Sequence, residues 1–194
     1  MSMCRKDEVL GLLSIVKLFT RRQVQELYFK DTSERYCNKF LSDLVESRLI
    51  KRKYFNISDN TNSYVYYTGR CPSKRLLKHD LLITECIIQL LNNYSIKSIE
   101  KIPSYDNVIP DAHIQIRTGT KILDVFLEVQ LSPNDCWSKY YNFSKKYKSD
   151  NKPLLYIVTD LDLNIQKLRD VNVVVDSIKL CKLRELIKID KTFN

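Results

Sequence analysis

Three residues of this chain have the types and spacing to do chemistry together. Asp111, then sixteen intervening residues, then Glu128 and Gln130 bring two carboxylates and a carboxamide onto neighbouring segments of alternating polarity. Carboxylate oxygens are hard ligands suited to Mg2+ or Mn2+, and such an ion activates water and offsets charge developing on a phosphodiester. In the first segment Ala112, Ile114 and Ile116 alternate with Asp111, His113 and Gln115. In the second, Leu123, Val125, Leu127 and Val129 alternate with Asp124, Phe126, Glu128 and Gln130, so each reads as a strand with one apolar face. An even-numbered loop around Thr118-Gly119 sets Ile114 opposite Leu123 and lays the two polar rows on one side of the sheet. Asp111 then lies opposite Phe126 and diagonal to Glu128, roughly 7 Å apart at Cβ, which leaves room for one divalent cation. The plain alternative is a solvated outer sheet face, which the same alternation predicts.

Other chemistry is weaker. His113 shares the polar face and is a candidate to touch substrate, although a lone histidine such as His113 or His79 is more often structural than a general base. Six cysteines are spread along the chain with no spacing that suits zinc, and are read as reduced, buried small hydrophobes. With only three glycines, a Gly-rich phosphate loop or a dinucleotide fingerprint is excluded.

The elements that must position these residues form two groups. Residues 6 to 18 have helical apolar spacing, and Thr20-Arg-Arg-Gln23 has the form of a capping box that opens a short second helix. Asp31, with Glu34 three residues on, caps a third helix with a buried stripe of Cys37, Phe40, Leu41, Leu44 and Val45, leaving Arg35, Asn38 and Lys39 outward. Strand-like segments at 49 to 55 and 63 to 68 flank a polar loop. Three short helices and a basic hairpin give the order of a winged helix-turn-helix over residues 1–70, in which the third helix enters the major groove and the hairpin touches backbone. Arg35, Asn38 and Lys39 are the candidate base contacts, and Lys51, Arg52 and Lys53 the candidate phosphate contacts.

Gly69 to Ser73 carries the turn signals that mark a boundary, and residues 74–194 alternate as an α/β domain. A helix is expected over 74 to 92 on Leu76, Leu77, Leu81, Ile83, Ile87 and Leu91, then strands at 96–102, 109–117, 121–131, 154–159 and 171–176. Helices are expected over 134–149, 161–169 and 178–188. The first of these carries Trp137, Tyr140, Tyr141, Phe143 and Tyr147 among Lys139, Lys145, Lys146 and Lys148. Its aromatics read best as a packing stripe, and Lys145 and Lys146 are the candidate nucleic-acid contacts.

Charge points to a polyanionic partner. Lys and Arg number 32 against 23 Asp and Glu, a net +9. Residues 1 to 74 hold 14 basic and 8 acidic residues, a net +6, so the excess is concentrated where the winged helix is read. A first stretch with charges of both signs and no long apolar run argues against a signal peptide or a membrane span, and so for a cytoplasmic chain.

Ile109-Pro-Asp111 followed by Glu128-Val-Gln130 resembles the PD-(D/E)xK nuclease motif with Gln in place of Lys, and Glu128-Val-Gln-Leu-Ser132 is similar to the string of competence-associated CoiA-like nucleases. The resemblance implies a restriction-endonuclease-like domain in which Asp111 and Glu128 ligate Mg2+ or Mn2+ and Gln130 positions the attacking water, with Glu85 as an extra acidic partner. Gln130 departs from the pattern because it supplies no positive charge. Together with the winged helix, Tyr64-Val-Tyr-Tyr-Thr68, Lys78-His-Asp-Leu-Leu-Ile-Thr-Glu85 and Pro110-Asp-Ala112 resemble the replication-relaxation family of plasmids and other mobile elements. That implies DNA binding linked to plasmid replication or conjugative transfer, with a nuclease-like domain; if that domain only adds affinity or recruits, a relaxase or replication protein is the expected partner. Three functions are therefore expected in competition: a DNA-binding accessory protein, a metal-dependent endonuclease, and a transcriptional regulator that forms a homodimer on a palindromic site.

Overall fold

The computed structural model describes residues 5–58, 61–101, 108–133, 138–140, 153–162 and 171–186. The described residues form a mixed α+β structure of four α-helices and two sheets, and the chain divides into two compact units, Met1–Ile88 and Gln89–Asn194. The compact first unit continues past the turn at 69–73, and the division falls inside the fourth helix.

In the first unit, α1 (Arg5–Val16) buries Val9, Leu12, Leu13 and Val16. The helix stops there because Lys17 takes a left-handed backbone (φ 68), and Leu18–Thr20 becomes a short strand, β1, where the sequence reading carried the helix on to residue 18. Thr20 then caps α2 (Arg21–Tyr28): its side chain accepts from the Gln23 N–H while the Gln23 side chain accepts from the Thr20 N–H, the reciprocal pair expected from the sequence. The cap of α3 (Glu34–Glu46) corrects the reading at Asp31, since Ser33 is the residue whose hydroxyl accepts the Tyr36 N–H, at 3.2 Å. A cap must stand directly before the first helical residue, which Ser33 does and Asp31 does not.

Strands β2 (Lys51–Ser58) and β3 (Thr61–Tyr67) pair as an antiparallel hairpin, and β1 joins the far side of β3, giving the order β1-β3-β2. Leu18, Phe55, Val65 and Tyr67 on one face of this sheet pack with Leu77 and Leu81 of α4 (Lys74–Asn93). Leu76 was expected in that stripe but is 49 % exposed, because the next position, Leu77, faces the sheet.

The second unit holds a five-stranded sheet in the order β4-β5-β6-β7-β8, with β4 (Ile96–Lys101), β5 (Ala112–Thr118), β6 (Lys121–Val129), β7 (Leu154–Val158) and β8 (Asn172–Asp176). The first three strands run antiparallel, and β6, β7 and β8 are parallel. Every residue of β7, and β6 from Leu123 onward, is buried. β6, between antiparallel β5 and parallel β7, is covered on both faces from Leu123 onward, so it has no solvated outer face there. The helix expected over 178–188 starts late: Leu180 has a left-handed backbone (φ 56), and a 3-10 turn follows at Leu183–Glu185. Residues 134–137 and 141–149 of the expected helix 134–149, Lys145 and Lys146 among them, lie outside the described residues, as does most of the helix expected at 161–169.

Candidate functional site

The β5–β6 turn sets the geometry of the carboxylates. Thr118 pairs with Lys121, so the two loop residues are Gly119 and Thr120, one position later than the sequence reading placed them. Gly119 has φ 65, the positive value that the first loop position of such a hairpin demands. A one-residue shift of the turn moves every cross-strand partner by two, so Ile114 faces Val125 in place of Leu123 and His113 faces Phe126. Face parity survives an even shift. Asp111, just before the Ala112–Leu127 pair, comes beside Glu128, where the earlier register made it diagonal.

Asp111 is held by backbone. Its N–H donates to Leu127 O at 3.0 Å, and its Oδ2 accepts the Val129 N–H at 2.8 Å. Glu128 is 5 % exposed, and its Oε1 accepts from Tyr140 Oη at 2.6 Å and pairs with Lys139 Nζ at the same distance. Burial pushes the Glu128 carboxyl up to about 7, with Lys139 and Tyr140 opposing the rise and the neighbouring Asp111 charge adding to it. Gln130 continues the ladder, its N–H donating to Val158 O at 2.9 Å, and its side-chain Nε2 donates to Ser132 O. All three sit at the carboxyl end of β6, next to β7, the end of a parallel array at which ligand crevices form.

The rest of the polar row serves structure. His113, 5 % exposed, stacks on Phe126 with ring centroids 4.6 Å apart, and its Nε2 lies 2.9 Å from Asp124 Oδ1. Gln115 Nε2 donates to the same Asp124 oxygen at 2.9 Å and itself accepts from Ser98. A histidine locked this way inside the sheet is not placed to meet a substrate, which corrects its candidacy. At the same strand end, Asp176 is buried and accepts from Tyr156 Oη and from the backbone N–H groups of Ser177 and Lys182, so it caps its own loop. Glu85 belongs to the first unit, where Arg22 lies 3.3 Å and Gln23 Nε2 3.1 Å from its Oε2. His79 also stays in the first unit, beside Asp80.

The donors suit a hard cation in type, two adjacent carboxylates with a carboxamide at hand, and Asp111 and Glu128 are the residues that would hold it. Among the described residues no group of three or more His, Cys, Asp or Glu side chains converges, so further donors would complete the shell. Lys139 is the participant that sequence reading passed over. Its Nζ also donates to Ile109 O at 2.7 Å. No periodicity links position 139 to position 128, and only the fold brings a 3-10 turn at Ser138–Tyr140 against the strand end.

In the first unit, Arg35, Asn38 and Lys39 are exposed along α3. The three basic hairpin residues are exposed too but have separate local contacts. Lys51 Nζ donates to Gly69 O at 2.9 Å, Arg52 donates to Ser42 Oγ at 3.1 Å and lies over the Tyr64 ring at 5.0 Å, and Lys53 lies over Phe55. Arg52 thus sits on the α3 side of the hairpin, with Tyr54 and Tyr64, exposed by 57 % and 45 %, packed edge to face beside it.

No helix of the described residues is long and apolar enough to cross a membrane. No protein-family model matches the chain, and no curated protein does. Among solved structures, restriction endonuclease FokI bound to DNA is similar over 98% of this chain, at 10% identity and a TM-score of 0.37, and the chain spans 47% of that protein's length. A likeness that weak fixes neither fold nor function.

Proposed function

We propose that the chain is a DNA-binding protein of plasmid or mobile-element replication or conjugative transfer, whose first unit is a winged helix. The observation that carries this reading is the element order α1-β1-α2-α3-β2-β3 with sheet order β1-β3-β2, which leaves Arg35, Asn38 and Lys39 exposed on α3 and Arg52 on the adjoining hairpin face. In a winged helix the third helix reads the major groove and the hairpin contacts phosphates. The net +6 of residues 1–74 suits that role. A relaxase or replication protein is the protein partner that this reading expects.

A second reading, that the second unit cuts DNA as a PD-(D/E)xK nuclease, is favoured by Asp111 and Glu128 lying side by side at the end of β6. Mg2+ or Mn2+ bound by these two would supply Lewis-acid activation of water and charge stabilisation. The chain's own part is to hold Asp111 by the Val129 N–H and to orient the buried Glu128 by Tyr140 and Lys139.

One gel tests both readings: supercoiled plasmid and single-stranded DNA incubated with the protein and Mn2+, Mg2+ or EDTA, beside the Asp111→Ala/Glu128→Ala double variant. Retardation in every lane supports the DNA-binding reading, and metal-dependent cutting lost in the variant adds the nuclease. Absence of retardation overturns the first reading.

A further inference from the structure

We propose that Lys139 is the cation of the Asp111–Glu128 site and the residue that positions Glu128, a role that Gln130 does not fill. The inference deepens the cleavage reading above and rests on it.

The Glu128 side chain is 6 % exposed, and a carboxylate so deeply buried is costly unless a charge and hydrogen bonds satisfy it. Lys139 meets both needs at 2.6 Å from Oε1. Its second hydrogen bond, 2.7 Å to Ile109 O, is made just ahead of Pro110-Asp111, so one ammonium ties together the two segments that carry the carboxylates. The next residue, Tyr140, is fully buried, packs against Phe126 at 6.4 Å between ring centroids, and donates to the same Glu128 oxygen. Oε1 is thereby fixed toward the turn at 138–140, and the carboxylate plane cannot rotate without breaking two charge-assisted bonds.

The two members of the pair differ in exposure. The Lys139 side chain is 31 % exposed against 6 % for Glu128, so the cation is the more solvent-open member of the pair. An ammonium has three hydrogens, of which Glu128 and Ile109 take two. The third is the donor that this proposal assigns to a phosphate oxygen. Gln130, in contrast, is neutral, 7 % exposed and turned to Ser132 O within its own loop.

The test uses the full chain and the variants Lys139→Met, Lys139→Gln, Lys139→Arg and Gln130→Ala. Three quantities are measured: plasmid cleavage with Mn2+, Mn2+ binding by electron paramagnetic resonance, and thermal unfolding. Loss of one preorganised charge donor lowers such a rate by about 100-fold or more, so Lys139→Met and Lys139→Gln are expected to fall by that factor. Both are expected to keep Mn2+ binding, so that a lost rate is not a lost metal. Lys139→Arg restores much of the rate, and Gln130→Ala loses less than about 10-fold, the effect of a minor interaction. Lys139→Gln keeps donors for Glu128 and Ile109 without charge, and serves if Lys139→Met does not fold. Wild-type cleavage by Lys139→Gln overturns the proposal. So does tighter Mn2+ binding with faster cutting in either neutral variant, which makes Lys139 a blocking counter-ion. If the wild-type protein retards DNA and never cuts it, the cleavage reading falls and the inference with it, an outcome told apart because no variant then differs from wild type.

Discussion

The Asp111 carboxylate accepts the Val129 N–H at 2.8 Å, across the mouth of the β5–β6 hairpin. With the Asp111 N–H bonded to Leu127 O, the side chain extends the strand ladder beyond its last backbone pair at Ala112 and Leu127. Asp111 is therefore part of the scaffold as well as of the site. Asp111→Ala strips a part-buried N–H of its acceptor, at a cost of about 1–3 kcal/mol, whereas Asp111→Asn keeps an acceptor oxygen. Thermal unfolding is expected to rank wild type and Asn close together and Ala several degrees lower. Equal melting of Ala and Asn removes the structural role.

Glu128 gives a stability signature with pH. Its folded carboxyl titrates at about 7 against an ordinary 4.5, so between these values the folded state binds a proton that the unfolded state has lost. More protons in the folded state means that stability falls as pH rises through this window, by up to about 1.4 kcal/mol per unit. Glu128→Gln removes the dependence: the variant is expected to melt near wild type at pH 4 and above it at pH 8. A difference that does not change with pH overturns the assignment.

DNA affinity separates two groups of residues. Glutamate at Lys51, Arg52 and Lys53 is expected to weaken binding to all sequences and to flatten its salt dependence, by about one unit of log–log slope for each phosphate that is no longer neutralised. Alanine at Arg35, Asn38 and Lys39 is expected to narrow the gap between cognate and random DNA. Fluorescence anisotropy at several salt concentrations checks both. An unchanged slope after the triple reversal sinks the hairpin assignment.

The α2 cap is local and costs little to remove. Thr20→Ala deletes the acceptor for the Gln23 N–H and is expected to lower stability by about 1 kcal/mol. Gln23→Leu is expected to cost more, because Gln23 Nε2 also donates to Leu81 O at 2.9 Å and so ties α2 to α4. Chemical denaturation gives the ranking, and the reverse order rejects the tie.

Local rules were legible in the residues themselves. The capping box at Thr20 and Gln23, the apolar spacing of α1, α3 and α4, and the alternation of β5 and β6 all depend on neighbours within a few positions. Parity also came through: strand alternation has a period of two, so the face shared by His113 and Gln115 with Phe126 and Asp124 followed from the sequence even with the turn placed one residue early.

Long-range order did not come through. The three residues of β1 carry no pattern of their own and become a strand only by pairing with β3, and the parallel arrangement of β6, β7 and β8 buries both faces of a strand that reads as half polar. Sequence determined which residues carry chemistry here, because side-chain type and period are written locally. Tertiary structure decided which of them meet: it took His113 into the sheet with Asp124, gave Glu85 to Arg22 and Gln23, and set Lys139 against Glu128. Those pairs join residues 11 or more positions apart, and only the packing of strands and turns brings them within hydrogen-bonding reach.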